Sequence, residues 1–145
     1  MGRILALDVG EKRIGVALCD ETQTLARPLL TLKRASKKED FARLAALCHE
    51  HAIEKVIVGL PKTLRGEDGP QAQRVRRYAA ELQAALNLPI EFWDERYSSV
   101  DARERLAVSN RKSRAKGDID SAAAAIILQE YLNAMAGSQP PTTNN

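Results

Sequence analysis

Short apolar runs separated by turn residues occupy the start of the chain and predict three β-strands. The runs Arg3–Asp8 and Ile14–Cys19 are rich in β-branched and aliphatic side chains, and the intervening VGEKR is typical of a hairpin turn. A third extended run lies at Leu29–Leu32, and Pro28 places it near a sheet edge or a bulge, because proline donates no ladder hydrogen bond. We therefore expect an antiparallel meander.

Beyond the meander, apolar positions recur at helical spacing. Ser36 and Glu39 form a capping box, which predicts a helix that runs to about His51. Pro70 is suited to the first turn of a second helix, because the backbone N–H that proline lacks has no partner within the helix at that position. Two helices are therefore expected in the middle of the chain.

The remaining elements alternate strands with helices. Residues 55–59 form a nearly continuous apolar run, which is typical of a central parallel strand, and residues 89–93 predict another strand. A short amphipathic helix is expected from about residue 100 to 108, and a last helix from about residue 119 to 135. Parallel strands joined through helices require crossover connections, which are right-handed.

This order of elements predicts an α/β fold with a mixed five-stranded sheet, an antiparallel meander plus parallel strands, flanked by helices. A chain of 145 residues with 44% hydrophobic content has the size of one domain, which argues against a two-domain enzyme. We assign residues 1–136 to this domain. Residues 137–145 have no apolar period, and we expect a disordered tail there.

Charge and cysteine content restrict the function only weakly. The net charge of +3 permits an anionic partner without requiring one. Cys19 and Cys48 have no CxxC spacing and are expected to be reduced thiols in the core. The first apolar run is too short for a signal peptide or a membrane span, so we expect a cytoplasmic protein with no membrane partner.

Acidic residues stand at three positions where an isolated charge is unfavourable. Asp8 ends an apolar strand, and Glu95 follows a later strand, at the kind of sheet edge where ligands bind in open α/β folds. In the last helix Asp118 and Asp120 are about 200° apart, and the apolar positions in register with Asp120 direct it toward the sheet. The small residues Ala122–Ala125 would let the helix approach closely, and Asp118 is expected to be its N-cap or a supporting acid.

Together, Asp8, Glu95 and Asp120 would form an oxygen-only site, which selects Mg²⁺ or Mn²⁺ rather than zinc. Two such ions about 4 Å apart support in-line displacement at a phosphodiester. The alternative is that each acid caps a helix or pairs with a nearby cation such as Lys12, Arg13 or Arg96. The convergence of two strand ends and one inward helix position favours the metal site.

Basic residues are concentrated in the loops expected around these acids. Such residues contact phosphates without reading bases, although a basic run by itself is more often a solvated loop. We therefore expect a nucleic acid as the partner. The candidate contacts are Lys12, Arg13, Lys62, Arg65, Arg96, Arg111, Lys112, Arg114 and Lys116.

Four segments together resemble the YqgF family of Holliday-junction resolvases, which has a ribonuclease H-like fold. They are ILALDVGEKRIGVALCD, VIVGLPKTLRGEDGP, WDERYSSVDARERL and KGDIDSAAAAIILQEYL, and the resemblance spans most of residues 3–132. It implies a metal-dependent nuclease that resolves junctions or matures the 5′ end of pre-16S rRNA in ribosome biogenesis. By position, Asp8, Glu95 and Asp120 would be the catalytic acids. The family usually has two threonines where this chain has Ser98 and Ser99, which keep the hydroxyl groups in a supporting position.

Two further functions and two properties stay open from the sequence alone. The first segment also resembles the phosphate loop of actin-like ATPases, but those proteins need a second lobe that this length lacks. A non-catalytic RNA-binding factor for ribosome assembly is the other alternative. No residue pattern distinguishes an RNA precursor from branched DNA. A homodimer would suit a junction enzyme, but no exposed apolar seam indicates one.

Overall fold

The computed structural model describes residues 2–61, 65–95 and 116–138, except for the side chains of residues 116–119 and 137–138. Each element below is defined by its hydrogen-bonded backbone. The strands and helices, in chain order, are β1 (Arg3–Val9), β2 (Arg13–Cys19), β3 (Ala26–Lys33), α1 (Lys37–Glu50), β4 (Ile53–Leu60), α2 (Pro70–Leu86), β5 (Ile90–Asp94) and α3 (Lys116–Ser138).

The five strands form one mixed sheet in the order β3-β2-β1-β4-β5. β1 pairs with β2 antiparallel and with β4 parallel, and β5 continues the parallel half. β3 is an edge strand, and its register against β2 shifts next to Pro28, as expected for a residue that cannot donate a ladder hydrogen bond. The predicted fold class is therefore confirmed, with β1 at the centre of the sheet.

Residues of the central strands alternate between two cores. Leu5, Leu7 and Val58 face a core that includes the buried sides of α1 and α2. Ile4 and Ala6, one position out of phase, face a second core that is completed by α3. Because successive side chains in a strand point to opposite faces, this alternation fixes which face each later residue of β1 occupies.

The two middle helices confirm the sequence prediction. α1 begins after Ser36, whose hydroxyl accepts a hydrogen bond from the backbone N–H of Glu39. α2 begins with Pro70 in its first turn. The helix predicted at residues 100–108 and the tail from residue 139 lie outside the described residues.

The last helix differs from the prediction at its start and in its buried surface. α3 begins at Lys116, so Asp118 stands in the first turn, and its predicted role as N-cap is wrong. Ser121 and Ala122 are also buried, although they follow Asp118 by three and four positions and so are on its side of the helix rather than on that of Asp120. The reason is that α3 packs against β2 and β3 as well as β1, so it buries a wider arc than one stripe.

The two cysteines lie in the core, as the sequence predicts. Cys19 and Cys48 are buried free thiols, and burial raises the pKa of the Cys48 thiol to about 11, so it stays protonated near neutral pH. In the described part of the chain, no helix has the length and apolar content needed to cross a membrane.

One buried charge connects the meander to α1. The Asp40 side chain is 1% exposed, accepts hydrogen bonds from Ala35 N (3.0 Å) and Arg43 Nη2 (2.9 Å), and lies 3.9 Å from Arg34 Nε. Arg34 in turn donates from Nη1 to the carbonyl oxygen of Gly10 (2.8 Å). Asp40 thus holds the β3–α1 connection against the hairpin that follows β1.

Asp40→Ala should therefore lower the free energy of unfolding by about 2–3 kcal/mol, because it leaves two partly buried hydrogen-bond donors and the partly buried guanidinium of Arg34 without their acceptor. Urea denaturation measures this change. Lys38→Ala, an exposed position in the same helical turn, is the control and should change stability by less than about 0.5 kcal/mol. A loss below about 1 kcal/mol for Asp40→Ala would contradict this role.

Candidate active site

Asp8 lies near the end of the central strand, on the face of the sheet that α3 covers. It follows the α3-facing residues Ile4 and Ala6 at the strand period of two. Its cross-strand partner in β2 is Gly15. On the other side Leu7 pairs with Val58, so Gly59 of β4 is next to Asp8 at the same level of the sheet. Asp8 is thus flanked by two residues without side chains.

Gly15 brings the start of α3 onto the sheet beside Asp8. A methyl group built on Gly15 would lie 2.0 Å from the carbonyl oxygen of Asp120 and 2.9 Å from the backbone nitrogen of Ser121. Side chains of directly paired strand residues project from the same face. The backbone of Asp120 therefore lies over the position next to Asp8, in a space that any larger residue at position 15 would fill.

Gly59 leaves the equivalent space for the carboxylate of Glu95. Glu95 follows β5, and its Oε2 lies 2.8 Å from where a methyl group on Gly59 would be. The same methyl group would lie 2.6 Å from Cδ1 of Ile127 in α3, so this space is also on the α3 face. The structure thus brings Asp8, Glu95 and Asp120 to one end of one face of the sheet.

The three acids are each half-buried. Their donor set is carboxylate oxygen only, which fits a hard divalent cation. Within the described residues, however, no group of three or more His, Cys, Asp or Glu side chains is close enough to hold a metal ion. The shared face is observed, and the closure of the three acids around an ion stays a prediction.

The predicted phosphate contacts are only partly described. Lys12 is exposed in the β1–β2 turn, and Arg13 begins β2 two residues before Gly15, hence on the same face as the acids. Arg65 is exposed in the connection before α2. The other predicted site residues, or their side chains, lie outside the described part of the chain: Lys62, Arg96, Ser98, Ser99, Arg111, Lys112, Arg114, Lys116 and Asp118.

Sequence reasoning did not single out the two glycines. A glycine inside a strand pattern indicates a close backbone approach, and both positions carry that signal. What approaches each glycine depends on packing between segments that are distant in sequence, which no local pattern reports.

The mixed sheet and the helices that flank it form a ribonuclease H-like fold. The chain superimposes on the T. thermophilus RuvC in complex with a Holliday junction substrate with a TM-score of 0.61, 16% identity, and coverage of 95% of this chain and 98% of that one. For the fowlpox virus resolvase in complex with Holliday junction DNA, the TM-score is 0.53 at 10% identity, with 92% and 98% coverage. At these identities the likeness concerns the fold.

Sequence comparison assigns the family. Residues 2–134 match the RuvX family, described as Holliday junction resolvase, and the chain belongs to this family, which is the YqgF family that its motifs resemble. A protein of Thermoanaerobacter pseudethanolicus named "Putative pre-16S rRNA nuclease" is 46% identical over 90% of this chain and 96% of its own length. One of the same name from Thermosynechococcus vestitus is 45% identical over 96% and 93%. The nuclease class expected from the sequence is confirmed.

Gly15→Ala should be strongly destabilising, because the added methyl group meets backbone atoms of α3 that cannot rotate away. We expect a loss of about 3 kcal/mol or more in urea denaturation, at or above the upper end of typical overpacking costs, and reduced nuclease activity in the protein that folds. Gly59→Ala is the matched variant, because its methyl group meets the ends of flexible side chains and costs less. Equal stability of Gly15→Ala and wild type would contradict the close approach of α3.

Proposed function

We propose that this chain is a metal-dependent nuclease that hydrolyses phosphodiester bonds in nucleic acid, with Asp8, Glu95 and Asp120 as the catalytic, metal-binding acids. One observation carries the proposal: these acids come from the central strand, the end of β5 and the start of α3, and all lie around Asp8 on one face of the sheet.

The scaffold gives each acid a defined part. Asp8 has the most fixed backbone, because β1 is hydrogen-bonded on both sides. Glu95 is on a flexible side chain that folds over Gly59, so it can adjust to the substrate or to an ion. Asp120 is placed by the packing of α3 rather than by a strand, which makes its position sensitive to residue 15.

The donor chemistry fits Mg²⁺ or Mn²⁺, held by Asp8, Glu95 and Asp120, with Asp118 as a supporting acid. When bound, such ions activate water and stabilise the leaving oxygen of an in-line displacement. In that reaction the water oxygen forms a bond to phosphorus and gives up a proton to solvent. The bond from phosphorus to the leaving oxygen breaks, and that oxygen takes up a proton from solvent to become a hydroxyl group. The role of the chain is to hold the phosphodiester beside Asp8, and basic residues such as Arg13 favour its binding.

We propose pre-16S rRNA as the substrate, with cleavage in 5′-end maturation. Relatives that are 46% and 45% identical over at least 90% of this chain carry that name, whereas the likeness to junction-bound RuvC is a likeness of fold at 16% identity. A four-way DNA junction is the second candidate, because the family description specifies a Holliday junction resolvase.

Asp8→Asn should lower the cleavage rate by at least about a hundredfold, because it removes one of the charges that bind the ion while keeping the size of the side chain. The measurement is the initial rate on an RNA that contains the 5′ flank of pre-16S rRNA and on a four-way DNA junction, each with Mg²⁺ and with Mn²⁺. The ratio of the two rates decides between the substrates.

Asp20→Asn is the matched control. Asp20 is exposed in the β2–β3 turn, at the other end of β2 from Gly15, and its substitution should leave the cleavage rate unchanged. Wild-type rates for Asp8→Asn on both substrates would refute the proposed site. If Asp8→Asn has lost cleavage on both substrates and still restores ribosome maturation in a deletion strain, the chain is a non-catalytic assembly factor instead.

A further inference from the structure

A groove of about 640 Å³ lies on the opposite face of the sheet from the three acids. One wall is α2, from Gln71 to Glu81, and the other is formed by the turn after β1 and the β3–α1 connection. Val75 and Tyr78, which belong to the core shared with α1 and α2, are in its floor. This groove is separate from the proposed active site.

The groove is strongly basic. Its lining includes six cationic residues and two glutamates, a formal excess of four positive charges, which exceeds the net charge of +3 for the whole chain. The cationic residues are Lys12, Lys33, Arg34, Lys37, Arg74 and Arg77. Two of these cations lie on α2, and the other four lie on the opposite wall of the groove.

Some of these cations form ion pairs within the protein, and others are free to bind an anion. Arg34 is held by Asp40 and lies 4.7 Å over the ring of Tyr78. Lys37 pairs with Glu81 at 2.9 Å, on side chains that are both about half exposed, so this contact is weak in water. Arg74 and Arg77 are exposed and form no salt bridge with any residue in the described ranges. Two guanidinium groups on one helix are thus available to an anion.

The floor adds a hydrogen-bond donor. The hydroxyl of Tyr78 is buried and has no hydrogen-bond partner among the described residues, and burial raises its pKa to about 12. It therefore keeps its proton at physiological pH, so that it can donate a hydrogen bond as well as accept one. The surrounding cations, rather than this buried hydroxyl, are what favour an anion in the groove.

We propose that this groove binds the sugar-phosphate backbone of a double-stranded segment of the substrate, with Arg74 and Arg77 as the principal contacts. From Gln71 to Glu81 the wall of α2 spans about 15 Å. One strand of a duplex presents a phosphate every 3.4 Å along its axis, so about four phosphates lie alongside this wall. Guanidinium groups are well suited to phosphate, which they bind through two parallel hydrogen bonds.

The position of the groove suggests what duplex binding there would do for cleavage, an inference that rests on the proposed nuclease activity. Val9 and Gly10, which line the groove, directly follow Asp8. A nucleic acid that crosses this end of β1 therefore reaches the acids on one face and the groove on the other. Binding in the groove would hold a flanking duplex while the scissile phosphate is at Asp8, and it would favour branched or folded substrates over simple single strands.

The test measures binding without cleavage. In the Asp8→Asn background, fluorescence anisotropy gives the affinity for a 20-base-pair duplex of RNA and for one of DNA between about 50 and 200 mM salt. Arg77→Ala should weaken binding at least about threefold at 0.1 M salt. It should also reduce the steepness of the plot of log association constant against log salt concentration by about 0.9, and the double variant Arg74→Ala/Arg77→Ala should reduce that steepness by about twice as much. A response to only one duplex identifies which nucleic acid the groove binds.

Arg27→Ala is the matched control, because Arg27 is an exposed arginine about 20 Å along β3 from Lys33. Its slope should equal that of wild type. The proposal is overturned if Arg77→Ala leaves the slope unchanged. If the slope is unchanged and Arg77→Ala instead alters the molar mass measured by sedimentation, the groove binds another copy of the chain. If Asp8→Asn still cleaves while Arg77→Ala lowers the slope, the active site fails and the groove stands.

Discussion

The close approach of one helix to one strand is the constraint on which the candidate site depends. The backbone of Asp120 occupies the space that a side chain at Gly15 would need, and Gly15 is paired with Asp8 on the central strand. A helix packed at the usual distance of larger side chains would hold an aspartate too far from the sheet, because this side chain is short. Small residues in α3, including the buried Ala124, extend the same close contact along the helix.

The elements and their order follow from the sequence because periodicity, caps and turn residues are local signals. Ser36, Pro70 and the apolar runs place five strands and two helices within a few residues of their observed bounds. The start of α3 does not follow, since Asp118 is a favourable N-cap residue that instead lies inside the helix, whose first turn begins at Lys116. The burial of Ser121 could not be predicted either, because it results from the position of β3 under the helix.

In the candidate site, the three acids could be predicted from the sequence because they lie at the ends of elements. The two glycines that give them room could not be predicted, because their role depends on which segments pack together in the fold. The basic groove could be predicted from the sequence even less than the two glycines. Arg74 and Arg77 are ordinary exposed residues of an amphipathic helix, and only the packing of α2 beside the β1–β2 turn places them with Arg34 and Lys37 in one surface. The sequence directed attention to the loops near the acids instead. A nucleic acid approaching this end of the sheet thus meets acids on one face and clustered cations on the other, and the cations raise its association rate at low salt.

Paramagnetic broadening by Mn²⁺ in nuclear magnetic resonance spectra tests the convergence of the three acids most directly, because it reports distance from the bound ion without any substrate. The account predicts that substoichiometric Mn²⁺ broadens the backbone amides of Asp8, Gly15, Gly59, Glu95 and Asp120 together, and that Asp120→Asn weakens this effect. Broadening confined to other acidic residues such as Asp40, or none at these five positions, would contradict a shared metal site and with it the proposed hydrolytic centre.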